Sequence, residues 1–144
     1  MSQDKLKILF LCTGNSCRSQ MAEGWAGHLL GDSIEPYSAG IETQGLNMIA
    51  VKVMAEVGVD ISKHYSKRVN ELSDINFDYV ITVCGDAEEH CPAFPGRTKR
   101  LHRGFDDPPR LAQKAKSEEE AINIYRRVRD EIRDFIIDLP GTVN

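Results

Sequence analysis

The amino-acid sequence predicts an α/β fold: a single-domain, doubly wound structure with a mainly four-stranded parallel sheet flanked by helices. Three observations lead to this prediction. Segments with the apolar pattern of strands alternate along the chain with segments of helical periodicity. A continuous apolar run near the N-terminus is typical of a strand buried on both faces. The 144 residues, 41% of them hydrophobic, suffice for one core and contain no obvious linker, so we expect one domain over residues 1–144.

Four segments are predicted as strands, and the first and third of them are strongly apolar. Leu6–Leu11 is the continuous apolar run, and Ile34–Ser38 is a short strand whose Pro36 is tolerated at a sheet edge. Phe77–Val83 is rich in β-branched and aromatic residues, and Lys99–Leu101 is a weaker fourth strand. Because helices separate these strands, we expect parallel pairing through right-handed crossovers.

Three segments have the periodicity of helices. Gln20–Leu30 and Leu46–Val57 each repeat apolar residues on one face. The last helix begins after Ser117, whose spacing from Glu120 predicts a capping box. Its apolar stripe runs on until Pro140-Gly141, where we expect the helix to end.

The loop after the first strand has the composition of an anion-binding loop. Cys12 is followed, after five intervening residues, by Arg18 and then by the first helix. Backbone N–H groups of such a loop can surround an oxyanion, and the arginine fork can bind two of its oxygens. The same positive field is expected to lower the pKa of Cys12, which makes its thiolate a nucleophile. We therefore predict Cys12 as the nucleophile and an oxyanion-binding loop made of Thr13, Gly14, Asn15, Ser16, Cys17, Arg18 and Ser19.

Two further cysteines, Cys84 and Cys91, follow the third predicted strand. In a parallel sheet Cys84 and Cys12 both lie at strand carboxyl ends and can face one crevice. A disulfide between Cys84 and Cys91 requires the intervening segment to bend or unwind, since the two Cα atoms must come within about 7 Å. The pair can be two unrelated buried cysteines, a zinc site with His90, or part of a thiol relay with Cys12. The adjacent His and Cys lack the usual zinc spacing, which favours the relay.

Asp107 is the candidate acid. It directly precedes Pro108, which favours an extended conformation from which a carboxyl could donate a proton to a leaving oxygen. Alone, this segment is only a turn signal, and the nearby anion-binding loop gives it a catalytic interpretation. We expect the polar stretch Pro109–Lys116 to be a surface loop before the last helix.

Composition excludes several classes of partner. The net charge is −4 and no block of like charges is present, so we expect no nucleic-acid partner. No apolar segment reaches transmembrane length and the N-terminus lacks a signal-peptide pattern, so we expect a cytoplasmic protein without membrane contact. In that compartment cysteines are more often catalytic than disulfide-bonded.

Several of these segments resemble one known superfamily over nearly the whole chain. The loop Cys12–Ser19, the segment Tyr37–Gly40 and Asp107-Pro108 resemble the low-molecular-weight protein tyrosine phosphatases. Within that fold, five features are similar to the thioredoxin-coupled arsenate reductases: Cys12–Trp25, Tyr37–Glu42, the spacing of Cys84 and Cys91, Gly104–Pro108 and Arg127–Ile132. Two positions differ from the phosphatase pattern, which typically has Pro at Gln20 and Tyr at Pro109.

The resemblance implies a mechanism that needs no metal and no organic cofactor. Arsenate would bind in the loop with Arg18, and the hydroxyl of Ser19 would hydrogen-bond the Cys12 thiolate. Cys12 would attack arsenic while Asp107 protonates the leaving oxygen. Cys84 would then attack Cys12 and release arsenite, and Cys91 would take over the disulfide, which thioredoxin would reduce.

The resemblance also implies answers to two smaller questions. Cys17 is not needed by the relay, and we expect it to be a packing or protective thiol. Some relatives bind potassium through positions matching Asn15, Glu23 and Ser38, and an acidic position of that site corresponds here to Lys67. We expect the Lys67 ammonium to replace the cation and the protein to be a monomer.

Two other functions are compatible with the loop. Phosphomonoester hydrolysis needs only Cys12, Arg18 and Asp107, and it gives Cys84 and Cys91 no task. A non-catalytic oxyanion or redox sensor would use Cys84 and Cys91 as a signalling disulfide.

Overall fold

The order of the strands places the first strand at the centre of the sheet. The structure, a computed structural model, describes residues 5–94 and 96–142. Its strands are β1 (Leu6–Cys12), β2 (Ile34–Gly40), β3 (Tyr79–Thr82) and β4 (Lys99–His102), all parallel in the order β2-β1-β3-β4. This α/β architecture confirms the predicted fold class.

Within the described residues, five α-helices and one 3-10 helix connect and flank the strands. The α-helices are α1 (Arg18–Leu30), α2 (Met48–Glu56), α3 (Gly85–Glu89), α4 (Pro108–Ala112) and α5 (Glu118–Thr142), and the 3-10 helix is Val69–Leu72. Helix α1 packs against β2 and α5, and α5 also packs against α2 and α4.

The core lies on both sides of β1. Ile8, Leu9, Phe10 and Leu11 are completely buried, as the continuous apolar run predicts for a strand covered on both faces. On one side, Trp25 of α1 packs close to α5 and donates its indole N–H to the Arg129 carbonyl at 3.1 Å.

Both sheet edges carry residues suited to an edge. Pro36 lies on the edge strand β2, where its missing N–H costs no ladder hydrogen bond on the open side. Strand β4 forms the other edge, and three of its four residues are exposed.

Two local predictions for the last third of the chain are wrong. The stretch after Asp107 was expected to be a loop but forms α4, because Pro108 at its first position supplies a helical φ and needs no N–H partner. Helix α5 continues through Pro140 to Thr142 instead of stopping there. The completely buried Leu139 fixes this last turn, in which Pro140 removes only one hydrogen bond.

The start of α5 differs in one bond from the predicted capping box. The Ser117 hydroxyl accepts the Glu120 N–H at 3.0 Å, as expected. The Glu120 carboxylate accepts the N–H of Lys116 at 3.1 Å, one residue earlier than a capping box requires.

The topology also defines where a ligand can bind. From β1 the chain crosses to β2 on one side and later returns to β3 on the other, so the direction of winding reverses between β1 and β3. In open parallel sheets the crevice at the carboxyl ends of such strands is the usual binding site. Cys12 ends β1, and Cys84 lies two residues beyond the end of β3.

Candidate active site

A cavity of about 420 Å³ opens at this reversal point. It brings together Cys12, Arg18, Cys84 and Asp107, which belong to three separate segments of the chain. Among the described residues, its lining consists of Cys12, Thr13, Gly14, Ser16, Cys17, Arg18, Gln44, Cys84, Gly85, Asp107, Pro109 and Arg110. The fifth predicted catalytic residue, Cys91, is not among these lining residues.

The loop between β1 and α1 is held by its neighbour in the sheet. The N–H groups of Ile41, Glu42 and Gln44 donate to the carbonyls of Cys12, Thr13 and Gly14 at 3.2, 2.9 and 3.0 Å. This close pairing depends on Gly40, because a Cβ there would collide with the backbone of the loop. The loop carbonyls are thereby turned outward to the neighbouring segment, which leaves N–H groups available to an anion.

Asn15 fixes the turn of the loop from below. It is completely buried and adopts a left-handed conformation with φ of 49°. Its amide donates to the Ser19 hydroxyl at 2.9 Å, and its side-chain oxygen accepts the Lys67 N–H at 2.9 Å. Asn15 and Ser19, both predicted as oxyanion-binding residues, therefore shape the loop from beneath the cavity and are not among its lining residues.

Ser19 contacts the nucleophile through its backbone. The Ser19 N–H is directed at the Cys12 sulfur, and this hydrogen bond favours the thiolate of Cys12. The hydroxyl, which was predicted to contact Cys12, accepts the Asn15 amide.

Arg18 is held in position before any ligand binds. Its Nη1 donates to the Phe105 carbonyl at 2.9 Å, and its Nη2 lies 3.8 Å from Asp107 Oδ1. The Arg18 side chain is 12% exposed and the Asp107 side chain 40% exposed. The predicted acid is therefore close to the predicted anion-binding arginine, and it is accessible from the cavity.

Cys12 and Cys84 form a hydrogen-bonded pair of thiols. The Cys12 S–H donates to Cys84, whose sulfur also lies 3.1 Å from the Thr13 hydroxyl. These contacts lower the pKa of Cys84 from 9.0 to about 5, with the hydrogen bond from Cys12 as the largest cause. These contacts therefore favour a thiolate on Cys84 within the pair.

This arrangement corrects the prediction for Cys12. Arg18 and the Ser19 N–H do favour its thiolate, as expected. The hydrogen bond with Cys84 and the burial of the sulfur outweigh them and raise the pKa of Cys12 above its ordinary value. The prediction of a lowered pKa for Cys12 was wrong because it did not include the hydrogen bond with Cys84.

Cys17 lines the cavity but has a different character. Burial raises its pKa to about 12, and Arg18 opposes this only in part. Its thiol therefore stays protonated at neutral pH, in accordance with a packing role.

Cys91 lies outside the cavity and is partly buried. It is a free thiol, and the helix α3 separates it in sequence from Cys84. Its S–H lies 3.6 Å from the Pro92 carbonyl, and the guanidinium of Arg100 also hydrogen-bonds its sulfur. Burial raises the pKa of Cys91 in spite of Arg100.

Gln20 is a site residue that the sequence reasoning missed. It is completely buried, and its amide donates to the Asn15 carbonyl at 3.1 Å and to the Tyr65 carbonyl at 3.0 Å. Its side-chain oxygen lies 2.9 Å from His64 Nδ1. The signal that could have found it is the departure from the phosphatase pattern, since a buried amide takes the place of a proline.

Gln44 and Arg110 at the mouth of the cavity were also missed. The side chain of Gln44 lies directly over Gly14, where a Cβ would collide with it. Arg110 adds a second guanidinium near Arg18. No motif marks either residue, because their contribution depends on how the neighbouring segments fold.

Lys67 occupies the position at which the resemblance places a cation ligand. Its ammonium donates to the Tyr65 carbonyl at 3.1 Å and lies 4.5 Å from the centre of the Tyr65 ring. Burial lowers its pKa, and the negative charge of Glu23 opposes this shift. Glu23 in turn accepts the Ser38 hydroxyl at 2.5 Å.

Two kinds of feature are absent from the part of the chain that the structure describes. In residues 5–94 and 96–142, no group of three or more His, Cys, Asp or Glu side chains is arranged to hold a metal ion. In the same residues, no helix combines the length and the apolar character that crossing a membrane requires.

Comparisons with known proteins agree with this geometry. The chain is 58% identical over 137 residues to an arsenate reductase of Bacillus subtilis, covering 94% of this chain and 95% of the relative. It is 54% identical over 132 residues to an arsenate reductase of Bacillus licheniformis, covering 92% and 93%.

Solved structures include both kinds of enzyme. One described as "an arsenate reductase in the phosphate binding state" has a TM-score of 0.73 at 28% identity, covering 96% of this chain and 99% of the other. The low molecular weight protein tyrosine phosphatase from T. tengcongensis has a TM-score of 0.74 at 26% identity, with the same coverage. The family model "Low molecular weight phosphotyrosine protein phosphatase" matches residues 7–144, and the chain therefore belongs to this family.

Proposed function

We propose that this protein reduces arsenate to arsenite through a relay of Cys12, Cys84 and Cys91, and that thioredoxin recycles it. The observation that supports this most is the Cys12–Cys84 hydrogen bond within an anion-binding cavity. Ester hydrolysis has no use for a second thiol in that position. The high identity to proteins named arsenate reductase supports the choice of substrate.

In the first step, Cys12 attacks arsenic. A Cys12 S–As bond forms while an As–O bond breaks, and the oxygen leaves with a proton from Asp107. Because the Cys12 S–H already donates to Cys84, the proton of Cys12 can pass to Cys84 as the attack begins. Arg18 and the loop N–H groups bind the arsenate oxygens throughout.

In the second step, arsenic is reduced. Cys84, which readily loses its proton because its pKa is low, attacks the sulfur of Cys12. The S–As bond breaks and its electron pair stays with arsenic, so arsenic(V) becomes arsenic(III) and a Cys12–Cys84 disulfide forms. The two thiols supply the two electrons.

In the third step, Cys91 must reach Cys84. Cys84 and Cys91 flank helix α3 in the sequence, and a disulfide needs their Cα atoms within about 7 Å. Bending or unwinding of α3 can bring them together, and this is inexpensive for a helix of five residues that begins with Gly85. Cys91 then forms a disulfide with Cys84 and releases Cys12.

Thioredoxin completes the cycle. Its dithiol attacks the more exposed sulfur, that of Cys91, and Cys84 leaves as a thiolate favoured by its low pKa. The dithiol becomes a disulfide and both thiols are restored. This chemistry fits the reducing cytoplasm that the sequence predicts.

The relay can be tested by following NADPH consumption with arsenate, thioredoxin and thioredoxin reductase. Wild type is expected to turn over continuously. Cys91→Ser is expected to stop after about one cycle with a Cys12–Cys84 disulfide, because nothing resolves that bond. Continuous turnover of both Cys84→Ser and Cys91→Ser would refute the relay. Absence of turnover by wild type would favour a sensor.

A weak phosphatase activity is the second candidate. Cys12, Arg18 and Asp107 line one cavity and are the residue types that hydrolysis of a phosphate ester would use, and the family model is that of phosphatases. Pro109 at the mouth supplies no aromatic ring for phosphotyrosine. With p-nitrophenyl phosphate, Cys91→Ser should keep the wild-type rate and Cys12→Ser should lose it. Loss of hydrolysis in Cys91→Ser would contradict this separation of the two activities.

A further inference from the structure

A strip of positive charge borders Cys91. Arg97, Lys99, Arg100 and Arg103, here called the basic strip, are all exposed and lie within seven residues that contain no acidic side chain. Lys99 and Arg100 lie in the edge strand β4, and Arg97 and Arg103 lie on either side of it in the sequence. The chain as a whole carries a net charge of −4, so this edge differs in sign from the rest of the protein.

An apolar groove is lined in part by the residues that directly follow Cys91. The groove has a volume of about 210 Å³, and its wall includes Leu72, Ile75, Phe77, Ala93 and Phe94. Phe94 is three residues beyond Cys91 and stacks edge-on against Phe77, with ring centres 6.3 Å apart. The groove is therefore built partly by the segment that carries the last thiol of the proposed relay.

The groove and the basic strip are parts of one surface. Thr98 lines the groove, and its hydroxyl donates to the Phe77 carbonyl at 2.6 Å. The next residue, Lys99, begins β4, and Arg100 hydrogen-bonds the sulfur of Cys91. Cys91 therefore contacts the basic strip through Arg100, and the residues that directly follow it line the groove. An apolar depression beside a charged border matches the usual division of a protein–protein interface into centre and rim.

We propose that this surface docks an acidic protein reductant of the thioredoxin class. The proposal rests on the proposed function, which requires a protein dithiol to reach the Cys91 sulfur. The charge identifies the partner, because a basic strip attracts an acidic surface and accelerates encounter. The groove accepts an apolar side chain of that partner and excludes water from the reacting sulfurs.

Exposed lysine and arginine on an edge strand have another ordinary purpose. They prevent edge-to-edge aggregation, and negatively charged residues would serve equally well. Reversal of the charge therefore separates the two roles, since glutamate keeps the edge charged but repels an acidic partner.

The test compares two double variants with the same change in net charge. Arg97→Glu/Lys99→Glu alters the basic strip without touching Arg100 or Cys91. Lys52→Glu/Lys63→Glu is the matched control, because both lysines are exposed on α2 and the loop after it. Arsenate turnover is measured against thioredoxin concentration at two salt concentrations and, separately, with dithiothreitol as the only reductant.

The basic-strip variant should raise the KM for thioredoxin by about tenfold at low salt, less at high salt, with kcat unchanged. Dithiothreitol-driven turnover should stay at the wild-type rate, because this small uncharged reductant needs no docking surface. The control should keep the wild-type KM. Ala93→Arg, which fills the groove while adding positive charge, should also raise the KM.

Three results would overturn the docking surface while leaving the proposed function intact. These are an unchanged KM in the basic-strip variant, an equal rise in the control, and an unchanged KM in Ala93→Arg. Binding of a DNA oligonucleotide by wild type but not by the basic-strip variant, with thioredoxin KM unchanged, would assign the strip to a polyanion. Absence of turnover by wild type with either reductant would instead refute the proposed function itself.

Discussion

Removal of the Cys12 sulfur should make Cys84 a weaker acid. In Cys12→Ala the hydrogen bond that contributes most to the low pKa of Cys84 is lost, and only the smaller contributions, such as that of Thr13, remain. A hydrogen bond to a charged acceptor is worth about 1.5–3 kcal/mol, and 1.36 kcal/mol corresponds to about one pKa unit. The pKa of Cys84 should therefore rise from about 5 by about one to two units.

The assay is the pH dependence of alkylation by iodoacetamide, with each modified cysteine identified by mass spectrometry. The buffer must be free of phosphate and sulfate, because an anion in the cavity would shift both thiols. Cys91→Ser is the matched control, since Cys91 is not part of the pair, and it should leave the Cys84 profile unchanged. The reasoning is refuted if wild type is alkylated at Cys12 in mildly acidic solution, or if Cys12→Ala leaves the Cys84 profile in place.

Three further predictions concern the supports of the site. Gln20→Leu should lower the unfolding free energy by about 3 kcal/mol, because buried partners such as the Asn15 carbonyl lose a donor. Denaturation with urea measures this loss, and a loss below about 1 kcal/mol would contradict the prediction. Glu56→Gln should lower the free energy of unfolding by about 1 kcal/mol at neutral pH. This value is small because the carboxylate, which pairs with Arg129, is partly exposed to solvent. Because the pKa of Glu56 is lowered to about 2, the difference from wild type should be complete above pH 4.5 and vanish as the pH falls through about 2. Potassium should raise neither the melting temperature nor the activity more than sodium at equal ionic strength, because the Lys67 ammonium already lies near Glu23. A specific potassium effect would count against replacement of the cation by Lys67.

The sequence predicted the parts of the fold that depend on long patterns. Leu6–Leu11 needed no neighbours to be recognised, because a run of apolar residues this long identifies a buried strand. Helix α4 escaped recognition because five residues contain no complete helical period. Its formation depends on Pro108 and on packing against α5, which only the folded chain provides.

The site was predictable in its members but not in their ionisation. The spacing from Cys12 to Arg18 indicated the loop, and the ends of β1 and β3 indicated that Cys84 would join it. The pKa of Cys84 is low because its sulfur, just beyond β3, is hydrogen-bonded to the Cys12 thiol at the end of β1. Gln20 and Arg100 were not recognised, because only the folded chain brings together Gln20 with the Tyr65 carbonyl, 45 residues away, and Arg100 with the Cys91 sulfur.

The bond from Arg18 to the Phe105 carbonyl has a consequence for the entropy of ligand binding. A free arginine side chain has rotamer freedom worth about 2 kcal/mol, and an anion that captures it must offset the loss of that freedom. Here the freedom is lost when the chain folds, because the Phe105 carbonyl holds the guanidinium through a contact within the protein. The Phe105 carbonyl, in the segment before Asp107, therefore preorganises Arg18, and this preorganisation should contribute to the affinity for an oxyanion. Any substitution that displaces Phe105 should weaken anion binding without touching the anion.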